Sequence, residues 1–232
     1  VTIACACAGI IIGSVFVSGL GLKFTQSVID LSGGLLFPLL CLTAVSAIIL
    51  GMGMTTTAVY ITVAALIVPS LIEAGILPIA AHMFAFYFGV VSTITPPVAL
   101  ASFAGAAIAK SPPMATAFES SKVGIAKYIV PFAFIYNPSL LMEGPRIWSL
   151  YSLISVLLAY WCMTLGLEGW FNGKLNVYKR TLALLGSVSL LIPPLQIIYG
   201  IQGFYYNAIG ILLLALIYFV QGKLNFNLKA QS

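Results

Sequence analysis

Three long stretches of this chain, Val1–Leu22, Leu31–Ile72 and Ala74–Ala109, contain no Asp, Glu, Lys or Arg. A water-soluble fold must cover itself with polar and charged side chains, and runs of this length supply none. Over all 232 residues only 6% are charged and 61% are hydrophobic, where an average soluble domain has roughly 25% charged. The helix is the spanning form that satisfies its own backbone in hydrocarbon, so the sequence predicts an all-α polytopic membrane protein. A soluble enzyme, a secreted disulfide scaffold and a nucleic-acid binder are excluded. The lipid bilayer is the first partner expected, and no nucleic acid is. Cys5, Cys7, Cys41 and Cys162 sit in apolar sequence and read as small hydrophobes. The chain opens at Val1 without Met or a charged n-region, and is read as a fragment whose N-terminal portion lies elsewhere.

Charged clusters divide the chain. Val1–Leu22 reads as a span, Lys23–Asp30 as a short interfacial segment, and Leu35–Ile72 and Pro78–Ala109 as two over-long apolar segments. Val123–Met142, Ile147–Leu167, Thr181–Gly200 and Phe204–Gln221 read as further spans. If sides alternate and both ends of Leu35–Ile72 stay on one face, Lys110, Lys122, Lys127, Lys174, Lys179, Arg180, Lys223 and Lys229 share a side. Lys23 and Arg146 fall on the other. Positive charge marks the cytoplasm, so the C-terminus is expected inside. Charge leaves open whether Leu35–Ile72 crosses twice or dips in and returns, since both have the same parity.

Both over-long segments are interrupted at membrane depth. Gly51-Met52-Gly53-Met54-Thr55-Thr56-Thr57 breaks the first: each glycine weakens a helix by roughly 1 kcal/mol, and the threonines suit the N-cap of a new one. Ser92-Thr93-Ile94-Thr95-Pro96-Pro97 breaks the second. Its prolines lack N–H groups and push Thr95 toward extended geometry, freeing carbonyls near residues 92 and 93 beside three hydroxyls. Taken singly, a Gly-x-Gly is more often close packing, a span hydroxyl more often bonds its own helix, and a proline more often kinks. Paired interruptions, each flanked by hydroxyls, are the pattern of a secondary transporter's site. Hard neutral oxygens of this kind suit a cation such as Na⁺.

These motifs, with Ala80-Ala81-His82-Met83-Phe84 through Gly89, Ile94-Thr95-Pro96-Pro97-Val98-Ala99, and Ile129-Val130-Pro131 through Pro138, resemble the large permease of tripartite ATP-independent periplasmic (TRAP) transporters. The likeness is closest to the fused permeases that work with a TAXI-type solute receptor. It is strong over about residues 1–145 and looser beyond. The resemblance implies a sodium-coupled importer of organic anions, usually carboxylates, delivered by a periplasmic solute-binding protein to the bacterial inner membrane. It implies that residues 1–145 are the second inverted repeat of an elevator-type transporter, comprising a span, a re-entrant hairpin at 35–72, a broken helix at 78–109 and a span at 123–142. Residues 146–232 would be C-terminal transmembrane helices with a cytoplasmic tail. One Na⁺ site is implied at Gly51, Met52, Gly53, Thr55, Thr56, Ser92, Thr93, Thr95 and Pro96, with Thr57 and Pro97 facing substrate. The family's tip often has proline where Thr55 stands. The first repeat, with the partner site, would lie in the missing N-terminal half of the same permease. No other cofactor or metal is implied. The alternative is a receptor-independent divalent-anion or ion permease of similar architecture.

An intramembrane enzyme would need a nucleophile–base pair or a metal cluster. The chain offers a single histidine, His82, and no cysteine pair with chelating geometry, so no catalytic residue is assigned. His82 reads as a packed residue near the periplasmic end of its span. Asn137-Pro138 and Pro193-Pro194 read as kinks. Ser111–Lys122 is either a short cytoplasmic surface helix or a loop.

Overall fold

The computed structural model describes residues 10, 13–14, 17–171, 173–194, 197–198 and 201–229; the Cys5 and Cys7 readings and most of Val1–Leu22 lie outside them. Among the described residues the regular elements are helices and one two-residue antiparallel pairing, Ile197 with Gln202 and Ile198 with Ile201, with an isolated bridge between Trp170 and Lys174. It divides into two compact units, Val1–Leu141 and Met142–Ser232.

In the first unit, helix α1 (Leu20–Ser32) runs straight through the Lys23–Asp30 segment expected to be interfacial. Nothing there breaks a helix; Gly33 and Gly34, both with positive φ, end it instead. The first over-long segment folds as a hairpin of α2 (Leu36–Gly51) and α3 (Thr56–Leu66), the returning arm continuing as α4 (Val68–Glu73) after a bend at Ile67 before Pro69. On α2 the buried residues Leu39, Leu40, Thr43, Ala44, Ala47 and Gly51 form one ridge at i, i+4 spacing. That ridge and the Val59–Val63–Leu66 face of α3 pack on α5 (Pro78–Val91). The residues α5 turns inward alternate small and aromatic: Ala81, Phe84, Ala85, Phe88 and Gly89. Gly89 leaves room for Val59, whose Cγ1 would stand 2.6 Å from any Cβ added there.

Beyond the break, α6 (Leu100–Ala109) packs on α7 (Pro113–Val123), and α8 (Ala126–Tyr136) returns against α5. Phe132 of α8 meets Phe84 and Phe88 edge-on, at ring distances of 5.4 and 5.7 Å. Two expectations need correction. Residues 123–142 are not one continuous helix: α7 stops at Val123, and α8 ends at Tyr136 before Asn137-Pro138, which leads into a 3₁₀ turn at Pro138–Leu141. Asn137-Pro138 therefore ends a helix instead of kinking one. Residues 113–123 are helical, with a surface pair between Lys122 and Glu119 at 3.7 Å.

In the second unit, α9 (Arg146–Glu168), α10 (Val177–Leu191) and α11 (Gly203–Lys229) pack in sequence order. Helix α9 buries Ser152, Ser155, Ala159, Cys162 and Gly166 beside Val156, Met163 and Leu165, and exposes Ile147, Leu150, Leu157 and Trp161. Small residues let its inner face approach a neighbouring helix closely, and large apolar side chains on its outer face suit lipid surroundings. Pro193-Pro194, expected to kink a span, instead terminates α10 at Leu191, with Ile192 forced into extended geometry.

Among the described residues α9 alone is long and apolar enough to cross a membrane unaided. Helices α2, α3, α5 and α6 are short because the two interruptions cut the apolar segments that hold them. The 16-residue α2 reaches about 24 Å, less than the roughly 30 Å hydrocarbon core, whereas α5 and α6 in series reach about 36 Å. The molecule is an all-α membrane protein.

Candidate functional site

The hairpin turns at Gly51–Thr55. Met52 is extended (φ −64°, ψ 125°), Gly53 takes φ +77°, and Thr55 is extended again before α3 begins. Only a glycine adopts such a φ without strain, so Gly53 makes the reversal possible. Thr55 holds the N-cap position, and its carbonyl accepts from the Val59 amide at 2.9 Å, but its hydroxyl makes no cap bond. Capping by threonine is thus met in position and not in chemistry. Thr55, Thr56 and Thr57 are all exposed at the tip.

The second interruption runs from Ser92 to Ala99, between α5 and α6, and contains a cis peptide between Pro96 and Pro97. Its three hydroxyls are not loose. Ser92 Oγ donates to Gly89 O at 2.6 Å, Thr93 Oγ1 to Val90 O at 2.8 Å and Thr95 Oγ1 to Val91 O at 2.7 Å. Each turns its proton back onto the helix it left, which leaves oxygen lone pairs facing away from α5. Of the two carbonyls expected to be bare, that of Thr93 is not: it accepts from the Ala101 amide at 3.0 Å, because α6 restarts close enough to reach back across the prolines.

The two interruptions meet. A Cβ added to Gly51 would lie 2.5 Å from Ser92 Oγ, 2.9 Å from Ser92 Cβ and 3.1 Å from the Gly89 carbonyl. One added to Gly53 would touch Val98 at 4.0 Å. The C-terminal end of α2 therefore abuts the C-terminal end of α5, and the chain leading into α3 passes beside the chain leading into α6. Two helix C-termini bring partial negative charge to one point, which favours a cation; the N-termini of α3 and α6 carry the opposite sign. Of the residues expected at the site, Gly51, Ser92 and Gly53 are thus brought to the junction. Thr93, Thr95 and Pro96 are half-buried on the break, while Thr56, Thr57 and Pro97 lie exposed on its two edges. Met52 is half-buried in the turn.

Three residues that sequence reasoning did not single out hold the break from behind. Ser121 Oγ donates to Ile94 O at 2.9 Å, and Tyr128 OH lies 2.7 Å from Thr95 Oγ1. Gly124 gives the Ile94 side chain its seat: its Cδ1 would be 2.8 Å from a Cβ there. The only sequence signal was a glycine inside what read as a continuous apolar span.

His82 Nδ1 lies 3.0 Å from the Tyr60 hydroxyl, tying α5 to α3, half-buried. A cavity of about 300 Å³ opens at the base of the hairpin, away from its tip, lined by Ser32, Leu35, Leu39 and Glu73 among others. No group of three or more His, Cys, Asp or Glu side chains converges among the described residues.

A family model, "Tripartite ATP-independent periplasmic transporter, DctM component", matches residues 1–144. No curated protein and no solved structure matches the chain.

Proposed function

As the chain belongs to the DctM family of tripartite ATP-independent periplasmic transporters, we propose that the junction of its hairpin tip and helix break is a sodium site coupled to uptake of an organic anion. Family membership makes the protein an integral inner-membrane component of a secondary transporter, a class that works with a periplasmic solute-binding protein and is not an enzyme class. The finer reading rests on one observation, the contact of Gly51 with Ser92.

The cation sits where α2 and α5 end, among the oxygens of Gly51, Met52, Gly53, Thr55, Thr56, Ser92, Thr93, Thr95 and Pro96. Neutral oxygens and two helix C-termini suit a monovalent ion whose hydration shell is shed cheaply; a divalent ion would call for carboxylates. The anion, a carboxylate, approaches the opposite edge at Thr57 and Pro97, toward the N-termini of α3 and α6, after delivery by a TAXI-type receptor. The short α2 supports a hairpin that dips in and returns. Residues 1–145 then form the second inverted repeat of an elevator-type transporter, residues 146–232 follow as C-terminal helices with the tail in the cytoplasm, and the partner repeat completes the pocket from the N-terminal half of the permease.

Thr95→Val and Thr56→Val remove one hydroxyl each while keeping shape. In the full permease in proteoliposomes with its receptor, each raises the Na⁺ concentration for half-maximal uptake several-fold with membrane insertion intact. Unchanged Na⁺ dependence in both variants rules out the site. Uptake that persists without any receptor would favour the receptor-independent permease.

A further inference from the structure

We infer that Tyr128 is a positioning residue for the cation, acting through Thr95; the inference rests on the sodium reading of the helix break. Thr95 Oγ1 has two neighbours at hydrogen-bond distance, Val91 O at 2.7 Å and Tyr128 OH at 2.7 Å. A carbonyl can only accept, so the Thr95 proton is committed to Val91, and Tyr128 must be the donor to Thr95. A threonine hydroxyl normally turns freely, presenting either proton or lone pair. Here both the proton and one lone pair are taken, and the single lone pair left over points in one fixed direction. A hydroxyl with its proton locked away is what a cation ligand requires, because a proton turned inward would repel the ion.

Two neighbouring contacts make the arrangement rigid. Ser121 Oγ donates to the Ile94 carbonyl at 2.9 Å, one residue before Thr95, and the Ile94 side chain rests against Gly124. The corner between α7 and α8 therefore grips the break at its backbone, at an apolar side chain and at the ligand hydroxyl. Tyr128 itself packs against the apolar core of its unit and is half-buried, so its own hydroxyl is held in place. Since none of Ser121, Gly124 and Tyr128 stands at the junction of Gly51 with Ser92, their effect on the ion is indirect: they fix which way the Thr95 oxygen faces.

Tyr128→Phe deletes the hydroxyl and nothing else. In the full permease with its receptor in proteoliposomes, uptake is measured against Na⁺ and against Li⁺. The expected result is a rise of about 2- to 10-fold in the Na⁺ concentration for half-maximal uptake, the range for one lost hydrogen bond. The Li⁺/Na⁺ preference changes with it, and the maximal rate stays within about twofold of the parent. Selectivity between ions of different radius is a readout that a loss of folded protein does not move. If Tyr128→Phe leaves both quantities unchanged while Thr95→Val shifts them, the positioning role is overturned and the sodium site stands. If neither variant shifts them, Thr95 is no ligand and this inference is overturned; if Thr56→Val also shifts nothing, the sodium reading fails with it. Should Tyr128→Phe fail to insert, Ser121→Ala reads the same corner: a smaller rise in the same direction supports the inference, and no rise overturns it.

Discussion

Gly51 has no room for a methyl group. Its Cβ would meet both heavy atoms of the Ser92 side chain and the Gly89 carbonyl, so Gly51→Ala must push the hairpin tip away from the break. Overpacking of this kind costs about 1–3 kcal/mol, and here it falls on the contact that forms the site. Uptake in proteoliposomes should drop well below a tenth of the parent, and trimming Ser92 should not restore it, because the Gly89 carbonyl still obstructs. Gly89 behaves differently: its Cβ would strike only Val59. Gly89→Ala should therefore impair uptake alone and recover when Val59→Ala is added. A double variant as poor as the single one would show that Gly89 serves the backbone and not the fit against α3. Both glycines stand plainly in the sequence. Which atoms face them does not, because that depends on how α2, α3 and α5 cross.

Between helices, closeness is set by small residues and by what happens at helix ends. Gly210 of α11 lies against Leu190 and the Gly186 carbonyl of α10, so those two helices approach through glycine on both sides. At the end of α9, Arg180 from α10 donates Nε to Gly166 O at 2.9 Å and Nη2 to Leu167 O at 2.8 Å. Its guanidinium satisfies two of the carbonyls a helix leaves open at its C-terminus and complements the dipole there. Hydrogen bonds from a charged donor contribute roughly 1.5–3 kcal/mol, so Arg180→Ala should lower the thermal midpoint of the purified protein in detergent by several degrees. Arg180→Lys should recover little, since an ammonium cannot reproduce the fork. A midpoint unchanged in Arg180→Ala would mean the cap contributes nothing to stability. In the sequence Arg180 reads only as one of the orientation-setting positive charges. Its second role appears once α9 and α10 pack side by side. Element ends follow the same logic. Pro193-Pro194 was legible as an interruption, but whether proline kinks or stops a helix depends on what receives the chain afterwards.

At the scale of the whole chain, the distribution of its ten basic residues predicts a sidedness that labelling can test. A single cysteine at position 23 or 146, in a background with the four native cysteines replaced, should react with a membrane-impermeant maleimide from the periplasmic side of intact cells. One at position 110 or 179 should react only after permeabilisation. The reverse pattern would invert the orientation, and with it the face from which the hairpin enters. The same arithmetic, applied to hydropathy alone, marked the segments holding both breaks. Lys23–Asp30, read as interfacial, lies within the helix Leu20–Ser32, because two opposite charges about two turns apart do not interrupt a helix.

The order of residues by itself determined that the chain enters lipid, because no side chains were available for a water-facing skin, and where two helices stop, because glycine and proline act on the backbone within a residue or two. Tertiary structure alone decided that those stops touch. It brought Gly51 onto Ser92, 41 positions further along the chain, through packing of three helices against one another, a relation that no local rule encodes. It also recruited Ser121 and Tyr128, whose hydroxyls acquire meaning only from the loop that folding sets before them.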